Sequence, residues 1–133
     1  MLSPEISRPI LWLRGEGLAV LLLSFALYSQ HETGWLTFVV LFFVPDLAML
    51  GYLSGPRTGA LLYNLAHTYT APVLLASAGL IAQNALLIPL ALIWSAHIGL
   101  DRMLGYGLKM DTAFQDTHLG RIGGRAGNSA LDG

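Results

Sequence analysis

The chain has 133 residues, 54% of them hydrophobic and 11% charged, against a charged fraction of roughly 25% in an ordinary soluble domain. So few charges cannot cover a solvated surface, which makes the class integral membrane protein. Seven basic residues balanced by eight acidic ones give no sign of nucleic-acid binding, and the lack of cysteine excludes disulfides, thiolate metal sites and cysteine nucleophiles.

A spanning helix needs roughly 20 mostly apolar residues, and four segments meet that length. The first is predicted over 9–28, with Pro9 suited to a helix start. Its length, and Arg14 and Glu16 lying inside the apolar run, argue against a cleavable signal. The second runs over 35–53, after a polar loop at 29–34. A Gly55-Pro56 break leads to the third, over 59–80, and a Gln83-Asn84 turn to the fourth, over 86–104. Beyond Lys109 the composition turns polar and glycine-rich. The expected organisation is therefore an all-α integral membrane bundle of four transmembrane helices, one domain over 1–122, with a flexible polar tail over 123–133.

Four spans put both termini and the 54–58 loop on one side. All seven basic residues, Arg8, Arg14, Arg57, Arg102, Lys109, Arg121 and Arg125, fall on that side or in helix ends opening to it. The positive-inside rule makes that side cytoplasmic. The expected location is the inner (plasma) membrane of a bacterial cell. Trp12, Tyr28 and Trp35 read as interfacial anchors. Pro45, Pro72 and Pro89 are positioned to bend three of the helices.

Each ionisable residue within a span costs on the order of 3 kcal/mol, so each requires a partner or a purpose. Counting inward from the cytoplasmic helix ends, Glu16, Asp46, Asn64, His67, His97 and Asp101 fall in one slab, roughly 5 to 12 Å deep at about 1.5 Å per residue. The outer halves carry no ionisable side chain, which disfavours a channel or transporter. His97 and Asp101 share a face of the fourth helix, and Asn64 and His67 a face of the third. Two imidazoles and two carboxylates suit zinc, manganese or iron without a thiolate. Asp46, His67, His97 and Asp101 are the candidate ligands, and no other cofactor is expected. Glu16, Asn64, Arg102 and His118 are candidates to support the site or bind substrate. His118 caps the slab only if the stretch 114–122, with its apolar Phe114, Leu119 and Ile122, folds back on it.

Other readings stand beside these. His97 with Asp101 reads equally as a structural hydrogen-bonded pair, and Asp46 as an ion-pair partner of Arg14, Arg57 or Arg102. Gly99, Gly105 and Gly107 read as sites of close helix packing, since no strand precedes them.

The strings Pro45-Asp46 through Arg57, Tyr63-Asn64 through Tyr69, Ala96-His97 through Lys109 and Asp116 through Arg121 resemble the small bacterial membrane-protein family catalogued as domain of unknown function 4260. The likeness covers nearly the whole chain to about Gly123, and it implies no activity. A fainter likeness, a Pro-Asp at a helix end, a His-Thr pair and a His-x-x-x-Asp on a later helix, is similar to the membrane-bound metal-dependent hydrolases. It implies that Asp46, His67, His97 and Asp101 match that group's ligands, although Leu47 and Ala48 stand where that group has a second acid or histidine.

Two main functions follow as expectations. One is a metal-dependent hydrolase at the cytoplasmic leaflet, acting on a lipid or other membrane-associated substrate. The other is a non-catalytic accessory or binding subunit of a larger membrane complex. A bis-histidine haem protein through His67 and His97 is a third, disfavoured by carboxylates beside an apolar porphyrin.

Overall fold

A computed structural model of the chain describes residues 9–108, together with 116–117 and 120–121. The described residues are helical apart from a two-residue antiparallel pairing of Asp116–Thr117 with Gly120–Arg121. Helix α1 covers Pro9–Tyr28. Helix α2, Trp35–Phe42, passes into a 3-10 helix over Val44–Ser54. Then come α3, Pro56–Ala66, α4, Thr70–Ile81, and α5, Leu87–Leu104. The predicted tail over 123–133, and His118, lie outside the described residues.

Among the described residues, three stretches are long and apolar enough to cross a membrane: Pro9–Tyr28, Trp35–Ser54 and Leu87–Leu104. Their outward faces are apolar; Leu22, Leu36, Val40 and Leu53 all stand exposed. So extensive an apolar surface is unfavourable in water and suited to an apolar surrounding such as lipid. The protein is therefore built for contact with membrane lipid.

The predicted third span is not one helix. It divides into α3 and α4, with His67, Thr68 and Tyr69 outside both. The cause is Pro72, which lacks the N–H that would bond the Thr68 carbonyl and whose ring crowds that carbonyl. Pro45 acts differently. It cannot bond Leu41, and at the next residue the Asp46 N–H bonds Phe43 O at 3.0 Å, the tighter three-residue step that opens the 3-10 helix. Pro89 disturbs nothing, because it falls in the first turn of α5, where N–H groups are unpaired anyway. A 3-10 helix rises about 2 Å per residue. Asp46, eight residues before Ser54, thus lies about 16 Å from that end, deeper than α-helical counting expects.

Helix α5 is the central element, packed against both α1 and α4, while α3 packs on the 3-10 helix. The α1–α5 crossing depends on two glycines. A Cβ on Gly99 would press on Gly17 O and the Leu21 backbone, and one on Gly17 would meet Gly99 O and the Met103 backbone. Backbones this close maximise dispersion contact, the main attraction between helices in lipid. At the same end, Arg14 donates to Met103 O at 2.8 Å, satisfying a terminal carbonyl of α5. Gly105, at φ 90°, ends α5 in the left-handed conformation.

At the opposite end, Tyr28, Phe38 and Trp35 form an aromatic cluster with Phe25. Tyr28 is not an exposed anchor. It is 1% exposed and donates to Gly34 O at 2.7 Å, tying the α1–α2 loop down. Trp12 and Trp35 are exposed, as interfacial residues should be.

Gly99→Val should cost about 1–3 kcal/mol through overpacking, read as a lower unfolding midpoint in detergent. Gly15→Ala, where an added Cβ meets nothing within 4 Å, should not lower it.

Candidate metal centre

Each of the four candidate ligands occupies a distinct structural setting. Asp46 lies in the first turn of the 3-10 helix, directly after Pro45. His67 caps the C-terminus of α3, its N–H on Asn64 O at 3.2 Å. His97 and Asp101 lie one turn apart on α5. Both histidines are buried, whereas the side chains of Asp46 and Asp101 are 34% and 16% exposed.

The four side chains converge, with one ligating atom from each within 4.8 Å of the others. His67 Nε2 is 3.1 Å from His97 Nε2, 3.3 Å from Asp46 Oδ1 and 3.4 Å from Asp101 Oδ2. His97 Nε2 is 3.2 Å from Asp46 Oδ1 and 3.5 Å from Asp101 Oδ2. Four ligands at about 2.0–2.2 Å from one ion stand roughly 3.3–3.6 Å apart in a tetrahedron. Five of the six edges, at 3.1–3.5 Å, are close to that, and the two carboxylates lie within 4.8 Å of each other.

The protonation of His67 is fixed from behind. Its Nδ1 lies 2.8 Å from Tyr63 O, a carbonyl that can only accept, so Nδ1 carries the hydrogen. In its neutral form the ring then turns a lone pair on Nε2 toward His97 and the two carboxylates. A backbone acceptor behind one ring nitrogen is the arrangement that orients metal-binding histidines. The Tyr63 ring also stacks on His67, with centroids 3.8 Å apart and planes at 7°. His97 Nδ1 has no hydrogen-bond partner among the described residues, and the edge of Phe42 packs near its ring.

The broken helix frees carbonyls that would be costly if left bare in lipid, and side chains of α5 satisfy them. Trp94 Nε1 donates to Ala66 O at 2.6 Å, and Arg102 Nη2 to His67 O at 2.9 Å. Arg102 also donates to Tyr106 O at 3.2 Å. It thus holds the backbone of a cluster residue. Asn64 is half-buried one turn before His67, and Glu16 is exposed on α1; neither is among the four converging groups. Tyr63 and Trp94 are the residues that reading the sequence missed. Trp94 had a detectable signal, since it precedes His97 by three residues and so shares its face.

Two imidazole nitrogens 3.1 Å apart also leave no room for a haem iron. Axial ligands on opposite sides of one ion need about 4 Å.

A family model described as Domain of unknown function (DUF4260) matches residues 10–122, and the chain belongs to that family. No curated protein and no solved structure matches, so the likeness to membrane-bound metal-dependent hydrolases gains no support from them.

Trp94→Phe keeps the apolar ring but strands the Ala66 carbonyl. The variant should lose about 1–3 kcal/mol of stability, measured by thermal unfolding in detergent. An unchanged midpoint would show that this bond does not brace the break.

Proposed function

We propose that this member of the DUF4260 family is a membrane-embedded metalloprotein in which Asp46, His67, His97 and Asp101 hold a divalent ion, zinc, manganese or iron. The observation that carries the reading is the five edges of 3.1–3.5 Å that the two histidines make with each other and with the two carboxylates, combined with a His67 Nδ1 proton that leaves Nε2 a lone pair facing inward in the neutral ring. Two carboxylates and two neutral imidazoles carry two negative charges, which a divalent cation balances. Without a cation, several lone pairs face one another in a low-dielectric interior.

The chemistry that best fits this centre is hydrolysis of a lipid or other membrane-associated substrate. A divalent ion supplies Lewis acidity and lowers the pKa of water bound to it towards 7. Asp46 is the more exposed of the two carboxylates and is suited to take up the proton of the attacking water. Four protein ligands would close a tetrahedral site, whereas catalysis needs an open position. Asp46, the accessible group, is the one to yield it. Arg102, holding the His67 carbonyl, positions the backbone next to that ligand.

The supporting topology is a single domain over 1–122 in the inner membrane. In it the broken α3–α4 unit is a fourth crossing, and both termini are cytoplasmic by the positive-inside rule. Reporter fusions after Gln30 and Asn84 should report the outside and one after Lys109 the cytoplasm; the opposite signal at any of them overturns the orientation.

A second reading has one specific observation behind it. The 3.1 Å contact between the two Nε2 atoms is also the length of a hydrogen bond. The cluster is then a structural network in an accessory subunit. Single substitutions separate the two. In the metal reading, His97→Ala abolishes stoichiometric metal in the purified protein and His67→Ala nearly does, while His31→Ala in the α1–α2 loop changes nothing. In the network reading the wild type holds no metal after zinc, manganese and iron are supplied, and the histidine variants lose only about 1–3 kcal/mol of stability.

A further inference from the structure

Beside the cluster lies an apolar cavity of about 350 Å³, open on one side, between the 3-10 helix and α4 with α5 as its floor. The broken helix makes this gap, because α3 packs on the 3-10 helix while α4 packs on α5. Three of its lining residues neighbour the cluster: Pro45 precedes Asp46, Ala66 precedes His67, and Trp94 lies one turn before His97. Val44 and Leu90 extend away from the Ser54 and Gly105 ends of their elements, toward the opposite end of the bundle, and Leu75 lines the cavity from α4. Val44 is 48% exposed, so this flank communicates with surrounding lipid.

We infer that this cavity holds one hydrocarbon chain of a membrane lipid, with the lipid's polar end at the His–Asp cluster. The inference rests on the proposed reading of the cluster as a substrate-processing centre and names its substrate class. Val44, Leu90 and Trp94 lie farther from the Ser54 and Gly105 ends than the cluster residues on the same elements, the order in which a lipid entering from those ends presents head and tail. The size fits one chain. A cavity of about 150 Å³ accommodates benzene, so this volume takes a chain on the order of ten carbons and excludes a pair. Binding draws on the apolar walls, because a chain leaving bulk lipid gains no hydrophobic transfer energy and the fit must come from packing.

The test uses full-length protein carrying W12F and W35F, so that Trp94 is the one tryptophan, in detergent micelles titrated with a phospholipid brominated on its acyl chains or with a brominated free fatty acid. Bromine quenches indole on contact. Trp94 fluorescence should fall saturably at a several-fold lower mole fraction of probe than in the same protein with Ala48→Phe, which fills the cavity from the 3-10 helix side. Leu75→Phe fills it from α4 and serves if the first variant does not fold. The phospholipid and fatty-acid arms show which source supplies the chain. Quenching that is linear in probe, or equal in wall-filled and unfilled proteins that both unfold cooperatively, overturns the inference. Metal content is measured on the same samples. Saturable, wall-sensitive quenching in a metal-free protein retains the chain site and rejects the metal centre, so the two failures are distinguishable.

Discussion

The interruption of the third apolar segment at His67 is the constraint on which the rest of the structure depends. Pro72 removes a backbone bond within this segment, and in lipid no water is available to take up the carbonyls left bare where α3 ends. They must therefore be met by protein. Trp94 and Arg102, both on α5, reach Ala66 O and His67 O, while His67 meets Tyr63 O with its own ring. The last of these bonds also sets which face of the imidazole is left for chemistry. Repair of the backbone and orientation of the ligand are thus one event.

The same constraint explains why the polar residues of α5 follow a helical register. Trp94, His97 and Asp101 are spaced three and four apart, so a single face of one helix supplies the brace and half of the cluster. That face is held at fixed depth by the opposite side of α5, where Gly99 and Gly17 let α1 approach to backbone contact. Parting of α3 from α4 produces a second consequence. It leaves the apolar gap beside the cluster, so a buried polar centre and a chain-sized cavity arise from one proline.

Much of this was legible in the sequence, and the reasons differ by element. The apolar runs at 9–28 and 86–104 announce helices of almost the observed extent, because membrane spanning imposes length and composition together. Asp46, His67, His97 and Asp101 were identifiable as a group because burial in lipid makes every ionisable side chain conspicuous. Pro72 was visible as a bend, yet its position does not show whether a helix kinks or ends. That depends on whether α5 supplies donors for the freed carbonyls. The 3-10 winding after Pro45 was hidden for a similar reason, since a proline marks where one bond is lost and not how far the tighter winding continues through Gly51 and Tyr52, which pack against Leu62 and Gly59. Tyr28 resembles an interfacial anchor in sequence, and the return of Gly34 together with the rings of Trp35 and Phe38 buries it.

The central claim is that two imidazoles and two carboxylates share one ion. X-ray absorption at the zinc edge, on wild-type protein reconstituted with zinc, measures that shell directly. The account predicts nitrogen and oxygen neighbours at about 2.0–2.2 Å with the outer-shell scattering of two imidazole rings, falling to one ring in His97→Ala with whatever zinc remains. A shell with no imidazole scattering, or one unchanged by that substitution, would contradict it.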